Sequence, residues 1–223
     1  MRNNAGQKGY TYNYSICTYP LMAPQIIALM GSPRPKGNTG KLLAEAVRGA
    51  QDAGCEVEVV DVPHMKFKPC MEILYCEDHE ACGLQDDVTP YLEKFKSIDG
   101  MIIATPVMTM GVPGALKSFM DRFQVYFMAK YFRKEPLTDP AKKKHRRALL
   151  ISIGGQNIEH DFDGLRTTVQ CFCDILDIRY WGEVLQNNMD EIIDITTRPA
   201  VMRDAYTKSY EMCTLIKNDS EKR

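Results

Sequence analysis

Two glycine-bearing stretches and one group of cysteines hold the residue types from which this chain could build chemistry. In the first stretch an apolar run, Ile26 to Met30, breaks at Gly31 into Gly-Ser-Pro-Arg-Pro-Lys-Gly-Asn-Thr. Leu42, Leu43, Ala46, Val47 and Ala50 then recur at helical spacing. Strand, glycine-bearing turn and helix, in that order, aim backbone N–H groups and the positive end of a helix at one point, which suits an anion. Ser32, Asn38 and Thr39 add neutral polar groups, and Arg34 adds a planar fork of donors that matches a phosphate. The stretch is not a P-loop: five residues separate Gly31 from Gly37, and Asn38 follows in place of Lys. The dinucleotide fingerprint Gly-x-Gly-x-x-Gly is absent as well. A plain strand-to-helix turn punctuated by Gly and Pro is the competing reading.

The elements that must position these residues follow from the rest of the pattern. Glu56 to Val62 reads as a second strand, alternating through Val57 and Val59 and, less strictly, Val60 and Val62. Residues 63–85 break the rhythm as a long loop, an insertion with a functional look. Asp86 or Asp87 can cap a helix striped by Val88, Tyr91, Leu92 and Phe95. Met101 to Ala104 is a third strand, followed by the Pro/Gly-rich turn Thr105 to Gly114 and a helix striped by Leu116, Phe119, Met120 and Phe123. Lys130 to Arg147 is a polar, basic connection whose Lys142, Lys143, Lys144, Arg146 and Arg147 either meet a cofactor phosphate or form a solvated loop. Ala148 to Ile153 is a fourth strand ended by Gly154 and Gly155. A helix striped by Leu165, Val169, Phe172 and Leu176 follows, then a fifth strand, Arg179 to Leu185, and a final helix marked by Met202, Ala205, Tyr206, Cys213 and Ile216.

Strands alternating with helices in this way predict an α/β fold: a doubly wound, five-stranded parallel sheet with helices on both faces. Ligands of such sheets bind beyond the carboxyl ends of the strands, where strand order reverses. Three Gly/Pro turns fall there: Gly31 to Thr39, Pro106 to Pro113, and Gly154 to Asn157. The expected organisation is an arm over residues 1–24, one domain over 25–217 and a charged tail over 218–223.

Composition narrows the class. The 223 residues are 44% apolar and 26% charged, enough for one sizeable core. A net charge of −1 gives no overall field toward nucleic acid or an anionic membrane. No apolar run approaches the roughly 20 residues of a membrane span. The polar, tyrosine-rich beginning does not read as a secretory leader. Eight cysteines in such a chain are expected to be free thiols or ligands in a reducing cytoplasm.

The stretch Thr105-Pro-Val-Met-Thr-Met-Gly-Val-Pro-Gly-Ala-Leu-Lys-Ser-Phe-Met-Asp-Arg122 is similar to the Pro-Val-Tyr…Pro-Gly-x-Leu-Lys-x-Phe-x-Asp-Arg signature of the NADPH-dependent FMN reductase group of flavodoxin-like proteins. Gly31 to Thr39 resembles the Gly-Ser-x-Arg…Gly-Asn-Thr phosphate loop of the same group. Two motifs in the right order carry a resemblance that one would not. It implies a flavodoxin-like fold and FMN as cofactor, with Ser32, Arg34, Asn38 and Thr39 on its phosphate. It implies that Pro106, Val107, Met108, Thr109 and Gly111 run under the isoalloxazine ring and that Gly154 and Gly155 lie near the ring. Met108 stands where the group often has Tyr, so a thioether replaces a stacking phenol. Lys117, Asp121 and Arg122 are read as ion-pairing residues, not catalysts. No side chain is expected to act as acid or base, because the flavin itself accepts hydride.

Cys70, Cys76 and Cys82 lie in the long loop. The iron–sulfur flavoproteins, a branch of the group, hold a [4Fe–4S] cluster there on a compact Cys-x-x-Cys-x-x-Cys-x-n-Cys array, and Ile73 stands in this chain at the second cysteine position. Three readings stay open: a cluster-free loop, a cluster completed by His79, Cys17 or another cysteine, and zinc on Cys70, Cys76, His79 and Cys82. Cys55, Cys171, Cys173 and Cys213 are expected in the core. The resemblance implies an oxidoreductase that passes electrons from NAD(P)H or a protein carrier to a quinone, flavin or similar acceptor, as a homodimer or homotetramer. The alternative is a one-electron transfer protein without nicotinamide turnover.

Overall fold

The computed structural model describes residues 22–221, so the arm expected over 1–24 lies, up to residue 21, outside the described residues. Five strands form one sheet: β1 (Gln25–Met30), β2 (Glu56–Asp61), β3 (Gly100–Pro106), β4 (Arg147–Ile153) and β5 (Arg179–Gln186). They lie in the order β2-β1-β3-β4-β5, and every pair is parallel. This is the flavodoxin-like order, with its reversal between β1 and β3.

Parallel central strands are buried on both faces, and each face here has its own core. Ile27, Leu29, Met101, Ile103 and Leu150 pack with α2 (Thr89–Lys94), α3 (Gly114–Asp121), α4 (Gln124–Phe127) and α6 (Asp163–Ile175). Ile26, Ala28, Ile102, Ala104, Leu149 and Ile151 face α1 (Asn38–Asp52) and α8 (Pro199–Glu221). The stripes expected of α1, α3 and α6 are the buried ones, apart from the half-buried Val47. The short helices α5 (Pro140–Lys143) and α7 (Met189–Ile192) flank β4 and follow β5.

Several expectations need correction. In β2 and just after it, Val60 and Val62 are buried, while Val59 is 52% exposed. This edge strand pairs only with β1 and is covered unevenly, so strict alternation misreads it. Of the expected charged tail, residues 218–221 continue α8, and Asp219 receives Arg147 at 2.8 Å. Cys171 lies on the exposed side of α6, whereas Cys55, Cys173 and Cys213 are buried. The basic connection contains a turn of π-helix, Met128–Arg133, and α5. Lys142 pairs with Asp99 and Lys143 with Asp177. Arg146 is buried, donating to Thr138 Oγ1 and to the carbonyls of Leu176 and Phe95. All of these lie at the amino end of β4, the wrong end of the sheet for a ligand bound at the strands' carboxyl ends.

Candidate functional site

Each of the three strand-end turns is fixed by backbone bonding that extends the sheet. Gly31 N–H donates to the Ala104 carbonyl at 2.8 Å, Val107 N–H to Ile153 at 2.8 Å, and Gly154 N–H to Gln186 at 2.8 Å. The turns therefore end level with one another, and they surround one cavity of about 600 Å³. Ser32, Arg34, Asn38, Thr39, Pro106, Val107, Met108, Gly154 and Gly155 line it; Thr109 and Gly111 do not.

The Gly31–Thr39 side of the cavity offers donors and no acid. The α1 helix starts at Asn38 with no side-chain cap and no acidic residue in its first turn. The N–H groups left unbonded at a helix start, and the positive helix end, therefore face the cavity through Asn38 and Thr39, while the Gly37 N–H is spent on the Arg34 carbonyl at 2.9 Å. The buried Ser32 hydroxyl accepts the Arg34 N–H at 3.2 Å, which folds the loop back on itself. A Cβ at Gly40 would overlap the Pro35 carbonyl, and one at Gly31 would stand 2.6 Å from Leu116 Cδ2. Only glycine lets the loop approach α1 and β3 this closely.

The second turn is strained. Thr109 and Met110 hold φ of 50° and 59°, and the flanking Met108 and Gly111 exchange N–H···O bonds of 2.9 and 3.0 Å. This is a tight turn of the type that Asn-Gly usually makes, held here by two residues that carry side chains. Gly164 in α6 sits so close under the Met110 carbonyl that a Cβ there would overlap it. Met108 and Met110 are each 44% exposed, leaving two soft, polarisable side chains at the surface.

Sequence reasoning missed a fourth wall, which is formed by Met189, Asp190 and Ile193 after β5. The available signal was topological, since whatever follows β5 must leave from the same edge of the sheet as the other turns. This wall brings acid with it. Asp190 N–H donates to the Gly155 carbonyl at 2.9 Å, and a Cβ at Gly155 would crowd the Asp190 carboxylate. Asp161, 4% exposed, lies against Gly154 with Oδ2 unpartnered. Burial, and then the charge of Asp190, push its carboxyl above the ordinary range. The cavity is thus positive at the α1 end and negative at the Gly154–Gly155 end.

A second cavity, of about 540 Å³, lies in the long loop and is lined by Cys70, Cys76 and Cys82 together with Arg122. Arg122 is 1% exposed and pins this loop, donating to Asp86 at 2.6 Å and to the carbonyls of Lys68 and Leu84 at 2.9 and 3.3 Å. Burial alone would raise the Asp86 carboxyl. Arg122 and the N–H groups of Lys68 and Val88 outweigh it and hold the carboxyl below its ordinary range. Lys117 pairs with Asp121 along α3. Burial raises the Cys76 thiol.

The loop does not present the ligand set of a four-thiolate cluster. Three thiols face the cavity, and Ile73, 54% exposed, packs on Gly83 at its rim. His79 is not among the lining residues: its ring stacks on Tyr75 at 3.8 Å, and Nδ1 lies 3.0 Å from the Tyr75 carbonyl. The zinc set of Cys70, Cys76, His79 and Cys82 is therefore not assembled. Among the described residues no three His, Cys, Asp or Glu side chains meet closely enough to share a metal ion. Cys17 lies outside the described residues.

The family model described as NADPH-dependent FMN reductase matches residues 24–161, over half of the chain and all three turns. The chain belongs to this family. It is 38% identical over 98 residues to an iron–sulfur flavoprotein of Methanocaldococcus jannaschii, covering 44% of this chain and 51% of that one. An iron–sulfur flavoprotein of Methanosarcina thermophila is 28% identical over 176 residues, 79% of this chain and 84% of that one. The match thus spans about half the length of the first relative and most of the second. Among solved structures, an NAD(P)H:quinone oxidoreductase from Methanothermobacter marburgensis superposes with a TM-score of 0.63 at 19% identity, over 85% of this chain and 96% of that one. That likeness shows the shared fold. Among the described residues no helix is long and apolar enough to cross a membrane.

Proposed function

We propose that this chain is an FMN-dependent oxidoreductase that takes electrons from NAD(P)H or a protein carrier and delivers them to a quinone, flavin or similar acceptor. The observation that carries the reading is the single cavity at the β1/β3 reversal, walled by all three strand-end turns and headed by the uncapped start of α1. Its residues suit FMN: N–H groups of α1 with Ser32, Thr39 and Arg34 at the phosphate, and the Pro106–Met108 and Gly154–Gly155 backbones beside the ring. When bound, FMN supplies the redox chemistry at its ring. The protein's part is to orient the ring through backbone groups, to close it from water on three sides and to leave its remaining face to donor and acceptor. The exposed Met108 and Met110 suit a site that admits acceptors of varied shape.

The names of the relatives raise an iron–sulfur partner for the flavin, and among the described residues the loop offers three thiols, Cys70, Cys76 and Cys82, one short of the four that such a cluster takes. No electron path is drawn through it. A second subunit, in a homodimer or homotetramer, is the proposed cover for the open face.

Purified protein should bind FMN with one site per chain by calorimetry and then oxidise NAD(P)H in the presence of a quinone. Absence of FMN binding overturns the reading. Binding without nicotinamide turnover, with a high one-electron intermediate yield on dithionite titration, selects the one-electron carrier instead.

A further inference from the structure

The segment from Asn188 to Ile195 lies against the phosphate loop in an unusual conformation. Asn188 is left-handed, α7 makes one turn, and Ile193 then takes φ 61° and ψ −50°. Asp194 N–H closes a bond to the Ile192 carbonyl at 2.6 Å. This is a γ-turn of the rarer, strained hand, with a β-branched residue at its centre. Packing does not offset the strain, because Ile193 is 76% exposed at the rim of the cavity.

What holds the segment is the phosphate loop. Asn38 Nδ2 donates to the Ile193 carbonyl at 2.7 Å, and Asn38 Oδ1 accepts the Ile195 N–H at 3.1 Å. The amide cannot be turned over, since that would set N–H against N–H and oxygen against oxygen. One turn further along α1, Lys41 Nζ pairs with Asp194 at 2.8 Å. Lys41, and then the Thr196 N–H, hold the Asp194 carboxyl down at about 2. Both ends of the Asn38 side chain are thus bonded to this segment, at the point where the sequence motif suggests a phosphate ligand.

We propose that Asn38 is a positioning residue: it latches residues 188–195 as a strap across the phosphate end of the cavity, with Ile193 as the cover and Lys41–Asp194 as the second fastening. The inference rests on the FMN reading above. The anion is held by the α1 N–H groups, Ser32, Thr39 and Arg34, and the strap governs passage. A ligand enters only in the fraction of molecules whose strap is open, so the latch slows association and dissociation together. A direct phosphate ligand would act almost wholly on dissociation.

Stopped-flow quenching of flavin fluorescence separates the two, using FMN with the wild-type chain, Asn38→Ala, Lys41→Met and Arg34→Ala. Asn38→Ala and Lys41→Met should raise both rate constants several-fold while the equilibrium constant moves by less than about tenfold. Arg34→Ala should raise dissociation alone. An unchanged association rate with much faster dissociation in Asn38→Ala overturns the latch and restores Asn38 as a ligand. If the wild-type chain binds no FMN, the flavin reading falls and the latch is still read from amide hydrogen exchange. Asn38→Ala should then speed exchange at Ile195 and Asp194 and leave β1 and β3 protected. Unchanged exchange at those two amides overturns the latch.

Discussion

Replacing Arg122 with Met should loosen the cysteine loop. The guanidinium is fully enclosed and ties three points of the loop, Lys68, Leu84 and Asp86, to the end of α3. Met fills much of the same space but leaves Asp86 without its cation and two carbonyls without a donor. Removing one partner of a buried ion pair costs about 3–5 kcal/mol. The Asp86 side chain is 13% exposed and keeps the N–H groups of Lys68 and Val88 at 3.2 and 3.1 Å, so the lower end of that range, about 3 kcal/mol, applies. Urea unfolding followed by circular dichroism measures the loss. Mass-resolved alkylation should show Cys70, Cys76 and Cys82 reacting faster, with the buried Cys173 unchanged. A paired Asp86→Leu change in the Arg122→Met background should recover part of the loss, because two apolar groups leave no buried charge. The pH dependence has a defined sign. Asp86 titrates below its unfolded value, so its contribution is complete above roughly pH 4 and fades as pH falls through the lower folded value. That acid-side loss should shrink in Arg122→Met. A stability change under about 1 kcal/mol with unaltered thiol reactivity would refute the anchor.

Arg34→Ala should weaken FMN binding about ten- to a hundredfold, roughly 1.5–3 kcal/mol for one charge-assisted contact, and calorimetry reads it directly. Asp161→Asn should stabilise the fold by about 1 kcal/mol near neutral pH, since burial holds the folded carboxyl above its unfolded value and ionisation there costs stability. The gain should vanish below roughly pH 3.9, where both states are protonated, and an equal gain at both pH values would contradict the assignment. Ile73→Cys supplies the missing thiolate, so anaerobic reconstitution should load about four irons per chain in that variant and not in the wild type. Iron and sulfide analysis decides it, and equal loading of both would show that three thiols suffice.

The strands and the strand–turn–helix path of residues 26–39 were legible because their causes are local. Ile26–Met30, Met101–Ala104 and Ala148–Ile153 are apolar on both faces, which only a covered parallel strand explains. Gly31 and Gly40 stand where the backbone passes too close to its neighbours for a side chain. The gathering of Ser32, Thr39, Pro106, Val107, Met108, Gly154 and Gly155 around one cavity then follows from topology, because parallel strands deliver all their carboxyl ends to one edge. Most of what escaped the sequence depends on partners distant along the chain. Val59 looks as buried as Val60 until the strand is known to be an edge. Lys142, Lys143 and Arg147 look available until Asp99, Asp177 and Asp219 are placed beside them. Asn38 reads as an anion ligand by type and position, yet its amide is spent on Ile193 and Ile195, more than 150 residues away in sequence. A motif states which groups a loop can offer. Which of them are free to meet a ligand is decided by the segments the fold lays across it, and residues 188–195 carry no local pattern that announces where they will lie.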